Sequence, residues 1–197
     1  MVTAYLRERF HLQLFAPLAS AIAFGASGGR LDWYAVVADA GFALLLLAQF
    51  RLWDDLADRP RDAVDHPDRV LVRAREVTPA IAFCGALAVL NICIAVWRSG
   101  TAVAVLGGLD LAAGAWYLSA GSKDPAYVRS SPADVRTTPA HVLILLAKYP
   151  AFVFIVAGGR IAETPLAVLA SATAVYVVVC AYEAWHDPLN WRSVTWR

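Results

Sequence analysis

Residues 33–62 read WYAVVADAGFALLLLAQFRLWDDLADRPRD. The first eighteen of them, Trp33–Phe50, carry a single charge, Asp39, whereas the next twelve carry seven. About 20 mainly apolar residues, rising 1.5 Å each in a helix, cover the hydrocarbon core of a bilayer. The stretch therefore predicts a membrane-spanning helix that ends in a charged collar at one membrane surface.

Outward from this segment, five more windows have the same apolar character. Phe10–Gly29, Val77–Trp97 and Pro165–Tyr182 contain no Asp, Glu, Lys or Arg; Thr101–Ala120 contains only Asp110, and Ala140–Gly159 only Lys148. The expected spans lie at about 10–29, 33–53, 77–97, 101–120, 139–159 and 164–185. Of the 197 residues 59% are hydrophobic and 17% charged, against roughly 45–50% and 25% in soluble domains. With a mean hydropathy of +0.55, an ordinary water-soluble globule is excluded. The expected fold is all-α: a polytopic transmembrane helix bundle of about six spans, forming one integral membrane domain over residues 1–197. Lying behind Arg7 and Arg9 and before Ala26-Ser27-Gly28, the first window also has the form of a signal peptide. An even number of spans fits the loops better, so it is read as a retained helix. A net charge of +1 provides no basic field for nucleic acid. Cys84, Cys93 and Cys180 form no CxxC pair and read as small buried hydrophobes.

The basic residues orient the bundle. Arg7 and Arg9, the six arginines between Arg51 and Arg75, Lys123, Arg129, Arg136, Arg192 and Arg197 fall on one side, thirteen in all, and only Arg30, Arg98 and Arg160 on the other. By the positive-inside rule both termini and the charged collar are cytoplasmic. The outer connections (Ser27–Asp32, Arg98–Gly100, Gly158–Thr164) are short and are expected to hold little chemistry. Asp39, near the outer end of its span, is expected to face headgroups or Arg30.

In the collar, Asp55, Asp58 and Asp62 stand at i, i+3 and i+7, with Asp54 one turn before Asp58. On a continuing helix they share one face, where like charges repel unless a cation joins them. Mg²⁺ answers this chemistry, because it takes a few carboxylates and leaves positions for phosphate oxygens. The interleaved Arg51, Arg59, Arg61 and Arg69 are suited to paired hydrogen bonds with a diphosphate. The competing reading is a solvated loop of mixed charge.

The stretch Asp54-Asp55-Leu56-Ala57-Asp58-Arg59-Pro60-Arg61-Asp62 resembles the first aspartate-rich motif of the UbiA-type intramembrane prenyltransferase superfamily, NDxxDxxxD, with Asp54 in place of Asn. His66-Pro67-Asp68-Arg69-Val70-Leu71 is similar to its downstream Arg-Pro-Leu element, with Val70 in place of the proline. Pro60 departs from the pattern and is expected to bend the motif between Asp58 and Asp62. The family's second acidic motif follows its sixth helix; here Glu183 and Asp187, at i and i+4 in Tyr182-Glu183-Ala184-Trp185-His186-Asp187, match it in part.

The resemblance implies a UbiA-like fold and Mg²⁺ held by Asp54, Asp55, Asp58, Asp62, Glu183 and Asp187. It further implies an isoprenyl diphosphate met by Arg51, Arg59, Arg69, Lys148, Tyr149 and, by position only, Arg129. Asp55, Asp58 and Lys148 would take part in ionising the diphosphate, and the prenyl group would pass to an acceptor. Tyr127, Arg136 and His141 lie where the family closes its loop over the substrate, and His186 stands either for proton transfer or for an interfacial contact.

Lys148 is the one cation within a span; it either faces a polar cavity, with the diphosphate or Asp110 as its partner, or snorkels to the interface. Gln49 and Asn91 either line a cavity or join helices. Trp53, Trp116, Tyr117, Tyr149 and Tyr182 are suited either to steadying a carbocation or to an aromatic belt at the interface. Family members usually have nine helices, so a six-helix chain matches about two thirds of the fold, and a second copy or a partner would supply the rest. A terpene cyclase using the same diphosphate site and a non-catalytic protein retaining the fold are the alternatives. A CDP-alcohol phosphotransferase is disfavoured because no Asp-Gly pair occurs. A transporter is disfavoured because no internal repeat does.

Overall fold

The structure, a computed structural model, describes residues 1–121 and 139–186. The helices run in the order α1 (Val2–Arg9), α2 (Leu12–Ala26), α3 (Trp33–Ala57), α4 (Arg59–Asp65), α5 (Val70–Arg73), α6 (Thr78–Arg98), α7 (Gly100–Gly121), α8 (Pro139–Leu146), α9 (Lys148–Ala157) and α10 (Pro165–His186), with a 3₁₀ turn at Gly158–Ala162. Among the described residues there is no strand.

Local chemistry sets the boundaries. The Asp32 carboxylate caps α3 by accepting from the amides of Tyr34 (3.0 Å) and Ala35 (3.4 Å), satisfying donors that a helix start leaves free. Between α2 and α3 the chain turns through Gly28 and Gly29, at φ 61° and 89°. At Gly28 a Cβ would come within 2.1 Å of Thr164 Oγ1, so both backbone angle and space require glycine. Pro150 lacks the N–H that would bond to the Leu146 carbonyl, and its ring crowds that oxygen. The helix accordingly breaks at Ala147, and Lys148 becomes the first residue of α9.

Among the described residues, five stretches are long and apolar enough to cross a membrane: Trp33–Ala57, Thr78–Arg98, Gly100–Leu118, Val142–Ala162 and Pro165–His186. They agree with a multi-pass membrane protein. The first expected window differs. It breaks between Phe10 and His11, and its helical part is the 15-residue α2, about 22 Å long at 1.5 Å per residue and short of the bilayer core.

α3 is the central helix, packed on α2 and α6, while α9 packs on α2, α7 and α10. The core combines Ile22, Phe42, Leu46, Phe50, Leu106, Phe152, Ile155 and Val168, all at most 2% exposed. Half of the α3 apolar window is buried but only 11% of the α7 window. Val89, Val96, Trp97, Leu111 and Leu166 point outward. An apolar exterior on helices that satisfy their own backbone suits lipid.

Asp39 and Asp110 are both bonded inside the bundle. Asp39 is 2% exposed and accepts from Arg98 Nη2 (2.5 Å) and Arg160 Nη2 (2.6 Å). Both arginines also donate to the Val156 carbonyl. This corrects one expectation: Asp39 faces neither headgroups nor Arg30, which pairs with Glu163 at 2.5 Å. Midway along α3, Asn91 Nδ2 donates to Gln49 Oε1 (2.8 Å) and Gln49 Nε2 to Asp110 Oδ1 (2.9 Å). Gln49 and Asn91 thus join helices α3, α6 and α7, and Asp110 is bonded to Gln49 rather than to Lys148. The cysteines are free: Cys84 is buried, Cys180 partly buried, and Cys93 exposed on the outer surface of α6, unlike the expected interior position.

Candidate functional site

The acidic cluster begins where α3 ends. α3 stops at Ala57, Asp58 is the junction, and Pro60 lies in the first turn of α4, where a missing N–H costs nothing. The break therefore falls at Asp58 itself, and the four carboxylates do not line one continuous face.

They divide by direction. Asp55, 5% exposed, turns toward the N-terminal helix. Tyr5 Oη donates to its Oδ2 at 2.8 Å, and Arg9 reaches Oδ2 through Nε (3.2 Å) and Oδ1 through Nη2 (2.9 Å). Arg51 adds a contact of 3.3 Å from within α3. Burial, and then the neighbouring Asp55 charge, push the Tyr5 hydroxyl far above its ordinary range, so it stays a donor. Asp62 is buried and ion-paired with Arg69. Arg59 turns to the backbone, donating to the carbonyls of Leu71 (3.0 Å) and Ala74 (3.1 Å). Glu8 receives the Val70 amide at 3.1 Å. Between these groups lies a crevice of about 10 Å³ lined by Tyr5, Glu8, Arg9, Asp55, Asp62 and Arg69, about one water's worth of space. Of the expected diphosphate contacts, Arg51, Arg59 and Arg69 are thus already engaged with the protein.

Asp54 faces the other way, into the bundle. Lys148 Nζ at the start of α9 and Tyr117 Oη on α7 both donate to it. The break at Ala147 brings Lys148 to this level, and the ammonium also lies 5.6 Å from the Tyr149 ring centre. Trp53 packs on Tyr117 (5.5 Å) and Phe50 (6.0 Å), and Tyr149 on Phe152 (5.8 Å). Three aromatics singled out in the sequence, Trp53, Tyr117 and Tyr149, are thereby gathered around one ion pair. Tyr182 instead stacks on His186 at 5.5 Å. Glu183 lies within electrostatic reach of Tyr149, as does Asp54.

Asp58, one turn after Asp54, is exposed, and its side chain has no hydrogen bond or ion pair among the described residues. Its carboxyl is held above the ordinary carboxylate range, first by the protein mass displacing water and then by the Asp54 charge, with Asp62 and Asp55 adding and Arg61 opposing. Arg129 and Asp187, and with them Tyr127 and Arg136, lie outside the described residues, as does the side chain of His141.

The donor set limits how a metal could be held. Among the described residues no three His, Cys, Asp or Glu side chains converge as a metal site, and Asp55 and Asp62 are committed to guanidinium groups. Asp58 is unpaired, and Asp54, one turn before it, could join it as a two-carboxylate pair only by exchanging its Lys148 and Tyr117 partners. Magnesium is commonly held by one or two carboxylates with substrate phosphates completing its shell, so this pair fits an ion that arrives with a diphosphate rather than one caged by protein alone.

Tyr5 and the pairing role of Arg9 escape sequence reading. They lie 50 and 46 residues from Asp55, and no local spacing announces contacts at that range. Compared with protein-family models, with curated proteins and with solved structures, the chain gives no significant match.

Proposed function

We propose that the chain is a short UbiA-like intramembrane prenyltransferase whose substrate is an isoprenyl diphosphate presented with Mg²⁺. The observation that carries this reading is the Asp54–Lys148–Tyr117 cluster, with the unpaired Asp58 one turn away and Trp53 and Tyr149 alongside. In this reading α2 is a sixth, shorter span and both termini are cytoplasmic.

When bound, magnesium neutralises the diphosphate and makes it a better leaving group. Asp54 and Asp58 would hold it, joined by Glu183 near the end of α10 and, as the resemblance implies, by Asp187. Lys148, exchanging Asp54 for a phosphate oxygen, places a positive charge where the leaving group gathers negative charge. Tyr117 donates a hydrogen bond at the same level. The C1–O bond breaks with its electron pair leaving on the diphosphate, and the faces of Trp53 and Tyr149 steady the allylic cation until an acceptor captures it. In the cyclase variant an internal double bond is the captor.

The second reading, a non-catalytic membrane protein, is favoured by one observation: Asp55 and Asp62 already have arginine partners. The two readings separate on binding of a non-hydrolysable prenyl thiodiphosphate to purified protein, with and without Mg²⁺. The prenyltransferase reading expects Mg²⁺-dependent binding that is lost in Asp54→Asn/Asp58→Asn and kept in Asp62→Asn. Binding that ignores Mg²⁺ and the double substitution, or no binding by a folded sample, would leave the non-catalytic protein.

A further inference from the structure

We propose that Arg73 and Arg75 form a binding site for the headgroup of an anionic phospholipid. The two guanidinium groups are exposed and have no ion pair or side-chain hydrogen bond among the described residues, unlike Arg9, Arg51, Arg59 and Arg69 around them. They line a shallow depression of about 440 Å³ together with Met1, Val70, Ala74 and Glu76.

The segment carrying them is fixed in advance. Arg59 donates to the carbonyls of Leu71 and Ala74 on either side of Arg73. Glu8 receives the amide at the start of α5, and Leu71 is buried against Tyr5 and Leu52. At Ala74 the chain leaves α5 in an extended conformation, ψ 125°. Holding this segment in place lowers the ordering cost of binding.

Position and lining select the ligand. α6, which is apolar enough to cross a membrane, starts at Thr78, so Arg73 and Arg75 precede the span by five and three residues and sit at headgroup level. Clustered arginines beside a span attract anionic lipid. The depression combines two unpaired cations with apolar walls from Val70, Ala74 and Met1, which matches a phosphate attached to glycerol and acyl chains. A free phosphate ion would leave those walls unused. Glu76 is the one opposing charge in the lining.

Native mass spectrometry of the protein released from phosphatidylglycerol or phosphatidylcholine nanodiscs tests the assignment. Phosphatidylglycerol is expected to be retained in preference to phosphatidylcholine. Its affinity should fall about thirty-fold in Arg73→Gln/Arg75→Gln, stay near wild type in Arg73→Lys/Arg75→Lys, and rise in Glu76→Gln. Retention unchanged by both Arg73→Gln/Arg75→Gln and Glu76→Gln would overturn the site. So would an equal loss in Arg7→Gln/Arg61→Gln, which would mean diffuse attraction. Inorganic phosphate that binds the wild type but not the Gln variant, with lipid retention unaffected, would reassign the arginines to a free anion. Should the double variant fail to fold, Glu76→Gln alone decides: no gain in retention rejects the proposal.

Discussion

Arg9 engages both carboxylate oxygens of Asp55 from a helix 46 residues upstream, with Tyr5 closing the same carboxylate from one turn earlier. A bidentate, charge-assisted contact of this kind is strong and directional. It makes the N-terminal helix a fixed part of the acidic end of the bundle.

Removing one member of a buried ion pair strands the other charge. Arg9→Gln is therefore expected to lower stability by roughly 3 kcal/mol, and Tyr5→Phe by about 1 kcal/mol. Equilibrium unfolding in detergent measures both. Limited proteolysis should show the α1–α2 junction near Phe10 and His11 cut faster in Arg9→Gln.

Asp39 stands between two arginines at the opposite end of α3. Asp39→Asn leaves both guanidinium groups without a counter-charge and is expected to cost about 3–5 kcal/mol. Asp32→Ala, which removes only a helix cap, should cost about 1 kcal/mol. Comparing the two by thermal unfolding separates the buried pairing from the exposed cap; equal losses would contradict the burial of Asp39.

The Lys148–Asp54 pair predicts non-additivity. Lys148→Met and Asp54→Asn should each destabilise, while the double variant should lose less than the two together, with a coupling of at least about 1 kcal/mol. Additive losses would mean that the two side chains do not interact in solution.

Asp58 gives a pH dependence with a defined sign. Its carboxyl is raised in the fold, so the fold favours the neutral acid. That contribution is fully present below the ordinary carboxylate value of about 3.9 and is lost as pH rises through the raised one. Asp58→Asn, neutral throughout, is expected to melt above wild type at pH 7, the gap closing as pH falls below about 4. With Mg²⁺ and pyrophosphate, the wild type should gain stability and the variant should not.

The spans were legible because hydropathy is a local property: α3, α6, α7 and α10 follow their apolar windows closely. The break before Lys148 escapes the sequence reading: hydropathy makes the window one continuous span, although Pro150 acts on the residue one turn back. Charge pairing was less accessible. Spacing placed Asp54, Asp55, Asp58 and Asp62 together, but one-residue differences around the helix send Asp54 to Lys148 and Asp55 to Arg9. For Asp39 the sequence offered Arg30 as a neighbour, whereas the pairing arginines come 59 and 121 residues later. Tertiary packing alone brings them there.

The clamp around Asp39 also bears on how the chain is made. Asp39 leaves the ribosome with its span long before Arg98 and longer still before Arg160. A lone carboxylate within a span is poorly accepted by hydrocarbon, so α3 would have to wait in a sheltered setting until the α6–α7 hairpin arrives. The later turn at Arg160 then completes the neutral grouping. Membrane insertion of this protein would thus proceed by deferred release, with α3 handed to lipid only in the company of its partners.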